Sequence, residues 1–222
     1  MCVCVFFACA EIWLQNSDGS EARKLAVPLP QPASGGQLSP DGTQLLFTMS
    51  ATPEQDYSYT TTLFLADVDS AQPAVPLPTA GLPPNTIAAA SWSSSGDAII
   101  VDAVCGVRHV LYRLDLASQT WSPLTDPTAD VSFGGWSYSA ETDTHVVSAV
   151  SQQNGGDIHL VNADQSLTQL THVFDDLTAK YALPEVRAIQ WSGEDGETIE
   201  GLLYHPIGHN EGDKPAPLVV ST

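Results

Sequence analysis

Basic residues are scarce in this chain of 222 residues. Lys and Arg number 7 against 26 Asp and Glu, for a formal net charge of −19. A surface this acidic repels phosphate backbones, which excludes nucleic acid as a partner. The acidity reads either as self-repulsion that keeps chains apart, or as adaptation to high salt or to cationic ligands. Charged residues make up only 15% of the chain, too few for a coiled coil. At 43% hydrophobic it carries too much apolar content for a disordered acidic tail.

Cysteine is also sparse. Cys2, Cys4 and Cys9 form C-x-C-x4-C with no nearby His, Cys105 stands apart from them, and no C-x-x-C pair occurs, so zinc-type spacing is missing. Cys2 and Cys4 fall on one face of a strand, which suits buried thiols in a reducing compartment. That points to a cytoplasmic location, with export as the alternative. No apolar run is long enough to cross a membrane. The apolar stretch Cys2–Ala10 lacks a preceding basic segment, so it reads as a core strand rather than a secretory signal, with a degraded export signal as the alternative. Neither a G-x-x-x-x-G-K-[ST] nor a G-x-G-x-x-G motif occurs, so no nucleotide cofactor is expected.

Turn-forming residues, in contrast, are plentiful, with 16 Gly and 16 Pro. They punctuate a repeat. Its copies are Ile12-Trp13-Leu14-Gln15-Asn16 with Lys24-Leu25, Leu63-Phe64-Leu65-Ala66-Asp67 with Pro76-Leu77-Pro78-Thr79, Leu111-Tyr112-Arg113-Leu114-Asp115 with Pro123-Leu124-Thr125, and Ile158-His159-Leu160-Val161-Asn162 with Gln169-Leu170-Thr171. The copies start at 12, 63, 111 and 158, and so lie 51, 48 and 47 residues apart. A turn element precedes three of them: Leu38-Ser39-Pro40-Asp41-Gly42-Thr43, Trp92-Ser93-Ser94-Ser95-Gly96-Asp97 and Trp136-Ser137-Tyr138-Ser139. Proline presets φ in such turns and glycine supplies the positive φ of a tight reversal.

The best copy predicts four strands: Ile87–Ser93, Ala98–Val104, His109–Leu116 and Trp121–Thr125. Four short strands per period of this length are the signature of a β-propeller blade. A blade cannot cover both of its own faces, so neighbouring blades must. Leu38, Trp92 and Trp136 are therefore expected between blades. The first copy lacks its opening strand, with Cys2–Ala8 serving as its second. The expectation is about three and a half blades, fewer than the four to eight of a closed ring. An open half-ring would expose apolar faces. The sequence thus reads as a fragment, or as one whose ring is completed elsewhere, a homo-oligomer included.

The repeat stops after His172. Val173–Leu183 reads as a linker with about one helical turn. Val186–Trp191, the turn Ser192-Gly193-Glu194-Asp195-Gly196 and Thr198–Tyr204 form a hairpin. Pro206–Pro217 is a polar loop, and Leu218-Val219-Val220 is expected to be a buried final strand. The predicted organisation is a partial propeller over 1–173, a linker over 174–185 and the start of another sheet over 186–222.

The segment from Ile189 onward resembles the opening of the catalytic domain in the prolyl oligopeptidase family, above all the acylaminoacyl and dipeptidyl peptidases. Trp191, Asp195-Gly196, Ile199, Gly201-Leu202-Leu203, Pro206 and Pro217-Leu218-Val219-Val220 carry the resemblance, together with the preceding Trp-Ser-type repeats. It implies an all-β partial propeller followed by the first strands of an α/β-hydrolase domain. It also implies a serine peptidase of short peptides whose propeller gates substrate access. Acyl transfer in that family needs a His-Gly-Gly-Pro element and a G-x-S-x-G elbow. Neither occurs here: Gly134-Gly135-Trp136-Ser137 has the wrong spacing, and Ser93–Ser95 is a blade turn. No catalytic residue is assigned, and the chain alone is expected to be inactive. The alternative is a TolB-like propeller acting as a protein- or ligand-binding scaffold.

Other candidates read as structural. His205 and His209, with Glu211 nearby, would share a helical face suited to metal, but Pro206 and Gly208 oppose a helix, so no metal site is assigned. Asp67 with Asp69, and Asp175 with Asp176, resemble paired carboxylates, yet turn and surface roles suit them better. Glu194-Asp195-Gly196 lacks the spaced oxygens of a calcium loop. Trp13, Trp92, Trp121, Trp136 and Trp191 are read as inter-blade packing rather than ligand stacking. Arg108 and Arg113 are read as ion-pairing rather than as anchors for a substrate carboxylate.

Overall fold

The computed structural model describes residues 2–5, 12–26, 33–50, 61–83, 86–129, 131–151, 154–209 and 212–221. Four antiparallel sheets follow one another along the chain. The first has three strands: β1 (Cys2–Val5), β2 (Ile12–Gln15) and β3 (Arg23–Lys24). Each of the next three has four: β4 (Ala33–Leu38), β5 (Gln44–Ser50), β6 (Thr61–Asp67) and β7 (Val75–Pro76); β8 (Thr86–Trp92), β9 (Ala98–Cys105), β10 (Arg108–Asp115) and β11 (Thr120–Pro123); β12 (Ser132–Ser139), β13 (Thr144–Ser151), β14 (Asn154–Val161) and β15 (Leu167–Gln169). Among the described residues, three four-stranded sheets and one of three strands are consistent with the expected partial propeller. Of the segment expected as the first blade's second strand, residues 6–8 lie outside the described residues.

One hydrogen bond recurs in all four blades. The amides of Leu25, Leu77, Leu124 and Leu170 donate to the carbonyls of Ile12, Leu63, Leu111 and Ile158, at 2.8, 2.8, 2.7 and 2.8 Å. The acceptors are the four repeat starts in the sequence. In the last two blades a threonine hydroxyl reinforces the same edge. Leu111 N–H donates to Thr125 Oγ1 at 3.1 Å and Ile158 N–H to Thr171 Oγ1 at 2.9 Å. Each four-stranded blade also has a register shift between its first two strands, at Ser34/Gln37, Ile87/Ala89 and Phe133/Gly135. Such shifts bend a strand and increase its twist.

The turn after the opening strand is built from side chains. In the third blade Ser93 Oγ accepts from the Ala98 amide at 3.0 Å and donates to Asp97 Oδ1 at 2.8 Å, while the Gly96 amide donates to the Ser93 carbonyl at 3.1 Å. Gly96 sits at φ +73°, a conformation that costs an L side chain about 1 kcal/mol or more. The second blade repeats the device with Ser39, Asp41 and Gly42.

Three apolar clusters form the core, and each one joins two successive sheets. Ile12, Leu14 and Leu25 meet Leu45, Phe47 and Met49. Leu46 and Leu63 meet Ile99, Val101 and Ala103. Leu111 meets Phe133, Val147 and Ala149. The β9 run Ala98–Asp102 is buried without alternation because the third sheet is covered on both faces. Burying each Ile or Val there contributes about 1.5–3 kcal/mol relative to exposure.

Trp92 is buried in the second cluster, and Leu38 and Trp136 pack against the first and third. The indole N–H groups of Trp92 and Trp121 donate to the Gln37 and Pro78 carbonyls, at 3.1 and 2.8 Å, tying the third blade to the second. The Arg23 guanidinium reaches from the first blade to the Val68 carbonyl and to Asp69 on the second.

Beyond the fourth blade lie a short helix, α1 (Asp175–Lys180), and a hairpin of β16 (Val186–Ser192) and β17 (Thr198–Tyr204). The hairpin forms a two-stranded sheet of its own. Two expectations need correction here. Leu218-Val219-Val220 is not a strand in the structure, and it is exposed. A strand needs a hydrogen-bonding neighbour, and the described residues place none beside it. Trp191 does not pack between blades. It is 48% exposed and lies over Gly201 across its own hairpin, because among the described residues no further sheet stacks on that face.

Candidate functional site

The fourth blade, the α1 segment and the hairpin line an open-sided cavity of about 520 Å³. Phe133 and Val150 supply the blade wall, Phe174 and Leu177 the linker wall, and Leu202 and Tyr204 the hairpin wall. The Val107–Arg108 segment lies at its edge. The lining is mainly apolar, with the Arg108 guanidinium as its cation.

Two carboxylates build this region. Asp157, in β14, is buried to 1% exposure. It accepts from Thr171 Oγ1 at 2.7 Å, the Val173 amide at 2.8 Å, Gln169 Nε2 at 3.3 Å and the Phe174 amide at 3.4 Å. These bonds turn the chain out of the fourth blade and set Phe174 against Gly155. A buried carboxylate is tolerated because donors surround it.

Glu200, in β17, reaches back to the third blade. It accepts from the Val107 amide at 3.0 Å, Gln190 Nε2 at 3.1 Å and Arg108 Nη1 at 3.3 Å. The Val107 amide first, then Gln190 and the Arg108 charge, hold its carboxyl below the usual glutamate range. Gly106, at φ +62°, makes the approach feasible. A Cβ there would stand 1.9 Å from Glu200 Oε2.

Two imidazoles sit between the third and fourth blades. His109 Nδ1 lies 3.0 Å from Asp102 Oδ1, with Phe133 tilted over the ring at 6.3 Å. His145 stacks on Tyr138 at 4.5 Å and accepts from Trp136 Nε1 at 3.3 Å. Burial pushes the His145 pKa down, so its neutral form is favoured.

The sequence candidates scatter over the surface. Asp67 caps a turn through the Asp69 amide at 2.9 Å, and Asp69 pairs with Arg23 at 3.2 Å. Asp175 meets His172 Nδ1 at 2.9 Å, and Asp176 is exposed. Asp195 caps the hairpin turn through the Glu197 amide at 3.1 Å. Arg113 pairs within its own blade with Asp97 at 3.2 Å, whereas Arg108 pairs with Glu200 at 3.3 Å. His205 extends the hairpin ladder by donating its amide to the Glu185 carbonyl at 2.8 Å, while His209 closes a turn onto Pro206 at 3.0 Å. Glu211 lies outside the described residues. Among the described residues no three His, Cys, Asp or Glu side chains stand together as a metal site. Trp13 and Trp121 are half-buried, and Gly134–Ser137 lie within β12.

Sequence reasoning passed over Asp157 and Glu200. Asp157 carried little signal, because its repeat position holds Glu11, Thr62 and Val110 in the other copies and is therefore mostly polar. Glu200 carried none, since an isolated charge on an exposed hairpin strand is ordinary.

No known family model matches the sequence, and no curated protein matches it. Solved structures do. An acylaminoacyl peptidase bound to Z-Gly-Gly-Phe-chloromethyl ketone superposes with a TM-score of 0.66 at 16% identity, covering 94% of this chain and 30% of that one. The Pyrococcus horikoshii acylaminoacyl peptidase gives 0.65 at 15% identity, with 90% and 29% covered. TolB from Acinetobacter baumannii gives 0.51 at 16% identity, with 90% and 44% covered. The likeness shows the fold: the chain has the architecture of the propeller portion of these peptidases, and shares it with TolB. It spans about three-tenths of the length of the acylaminoacyl peptidases that it matches. Among the described residues no helix is long and apolar enough to cross a membrane.

Proposed function

We propose that this chain is the non-catalytic propeller segment of a serine peptidase that hydrolyses short peptides, its blades gating access to the site. On this reading the blades occupy 1–173, the linker 174–185, and the hairpin opens an α/β-hydrolase sheet over 186–222. The observation that carries it is the change of pattern after the fourth blade. Stacked four-stranded sheets give way to a hairpin that joins none of them and leaves Ile189, Trp191, Ile199 and Tyr204 exposed. An apolar hairpin of this kind suits the edge of another sheet. The peptidyl chloromethyl ketone bound to one similar peptidase supports peptides as the substrate class.

The likeness to TolB favours a second reading, a binding scaffold made of blades alone. The two part at the hairpin, which a pure propeller would extend into a further blade. The test uses a serine-directed fluorophosphonate probe and a short peptide substrate. The 222-residue chain should be neither labelled nor active. The same chain extended through the codons downstream of Thr222 should gain both, at a serine within G-x-S-x-G. Labelling of the short chain would overturn its reading as a non-catalytic segment, and a downstream sequence of further blades would overturn the peptidase reading.

A further inference from the structure

The Glu200 contact joins two parts of the chain that are otherwise built differently. On one side is the β9–β10 turn of the third blade, Gly106-Val107-Arg108, anchored in the buried sheet. On the other is a hairpin with no buried side chain in either strand. The carboxylate fits the turn closely. One oxygen takes the Val107 amide, the other takes Arg108 Nη1 and Gln190 Nε2, and the Gly106 position leaves no room for a Cβ. Glu200 and Arg108 are mostly shielded, with side chains 16% and 25% exposed. Charge-assisted bonds of this type are stronger than neutral ones, and more so away from bulk water. The same hairpin supplies Val186, Ala188, Leu202 and Tyr204 to the cavity wall, and Val107 and Arg108 border that cavity.

We propose that Glu200 and the Gly106–Arg108 turn form a latch, and that its release swings the hairpin away from the third blade and widens the open-sided cavity. The linker supplies the hinge. It consists of α1, which buries no side chain, and an extended run through Leu183-Pro184. The latch rests on contacts within this chain and stands whether the protein is a peptidase or a scaffold.

Hydrogen exchange read by mass spectrometry on the 222-residue chain tests it. Glu200→Gln keeps the shape and removes the charge. In this variant, peptides covering 186–204 should exchange about tenfold faster, while peptides covering 98–103 stay at the wild-type rate. Gly106→Ala should do the same by steric means, and Arg108→Met should add little on top of Glu200→Gln, because both break one contact. Unchanged exchange across 186–204 in both Glu200→Gln and Gly106→Ala would overturn the latch. So would equal acceleration at 98–103, since Glu200 would then support the whole blade rather than a movable wall.

Discussion

The third blade and the terminal hairpin start from nearly the same local sequence. In one, Trp92-Ser93 leads through Gly96-Asp97 into β9; in the other, Trp191-Ser192 leads through Asp195-Gly196 into β17. Both make an antiparallel hairpin, and both close the turn by an N–H to C=O bond spanning three residues, Gly96 to Ser93 and Gly196 to Gly193, each at 3.1 Å. Yet Trp92 is 3% exposed and Trp191 is 48% exposed. Local turn chemistry therefore specifies the hairpin and leaves its burial open. Burial comes from the neighbours: β9 lies between two other sheets, whereas β17 meets the rest of the chain chiefly at one carboxylate. Stability should divide along the same line.

Paired truncations offer the hardest test of that division. Ile99 is fully buried between blades and Ile199 is 41% exposed. Ile99→Ala should cost about 2–5 kcal/mol in urea-induced unfolding, as a core cavity does, and Ile199→Ala less than about 1 kcal/mol. Similar losses at the two sites would mean that the hairpin is as much a part of the cooperative core as the blades are.

The matched glycines sharpen the comparison at smaller scale. Gly96 and Gly196 both sit at positive φ, +73° and +85°. An added Cβ at Gly96 would touch Pro40 of the neighbouring blade at 3.4 Å, whereas at Gly196 it would meet open space. Gly96→Ala should therefore lower global stability by about 1–2 kcal/mol. Gly196→Ala carries the same backbone strain but confines it to the hairpin, leaving the urea midpoint in place and raising local exchange there. A midpoint shift of equal size in both variants would contradict the separation.

The repeat was readable from the sequence because it rests on short-range chemistry. Ser39-Pro40-Asp41-Gly42 and Ser93–Asp97 write their turns locally, and the apolar repeat starts mark the blade edges through one backbone bond each. The inter-blade place of Leu38, Trp92 and Trp136 followed from the same repeat. What stayed hidden depends on contacts far apart along the chain. Glu200 and Val107 are 93 residues apart, and nothing in either segment announces the other. Trp191 and Leu218–Val220 were misplaced for the converse reason. Their apolar character states what they would bury, and burial still requires a surface that the described residues do not provide.

Acid gives the gentlest test, because the two regions hold their carboxylates in different ways. The Ser39 hydroxyl, then the Thr43 amide, hold Asp41 below the usual aspartate range, and Ser95, then Ser93, do so for Asp97. Each folded pKa lies below its unfolded value, so the stability these groups contribute is present above that value and is lost as pH falls through the folded one. For the blade turns the loss begins below the aspartate reference of 3.8, and for Glu200 below the glutamate reference of 4.5. Amide shifts followed by NMR from about pH 7 to about pH 2 should therefore show the Val107 amide moving with Glu200, and the Thr43 amide moving with Asp41. Asp41→Asn should flatten the Thr43 titration and leave the Val107 titration intact, since the amide oxygen still accepts the turn hydrogen bonds and only the charge is lost. A flat Val107 profile in the wild-type chain would show that Glu200 does not sit on that amide in solution, and the bridge that Glu200 makes between blade and hairpin would be lost.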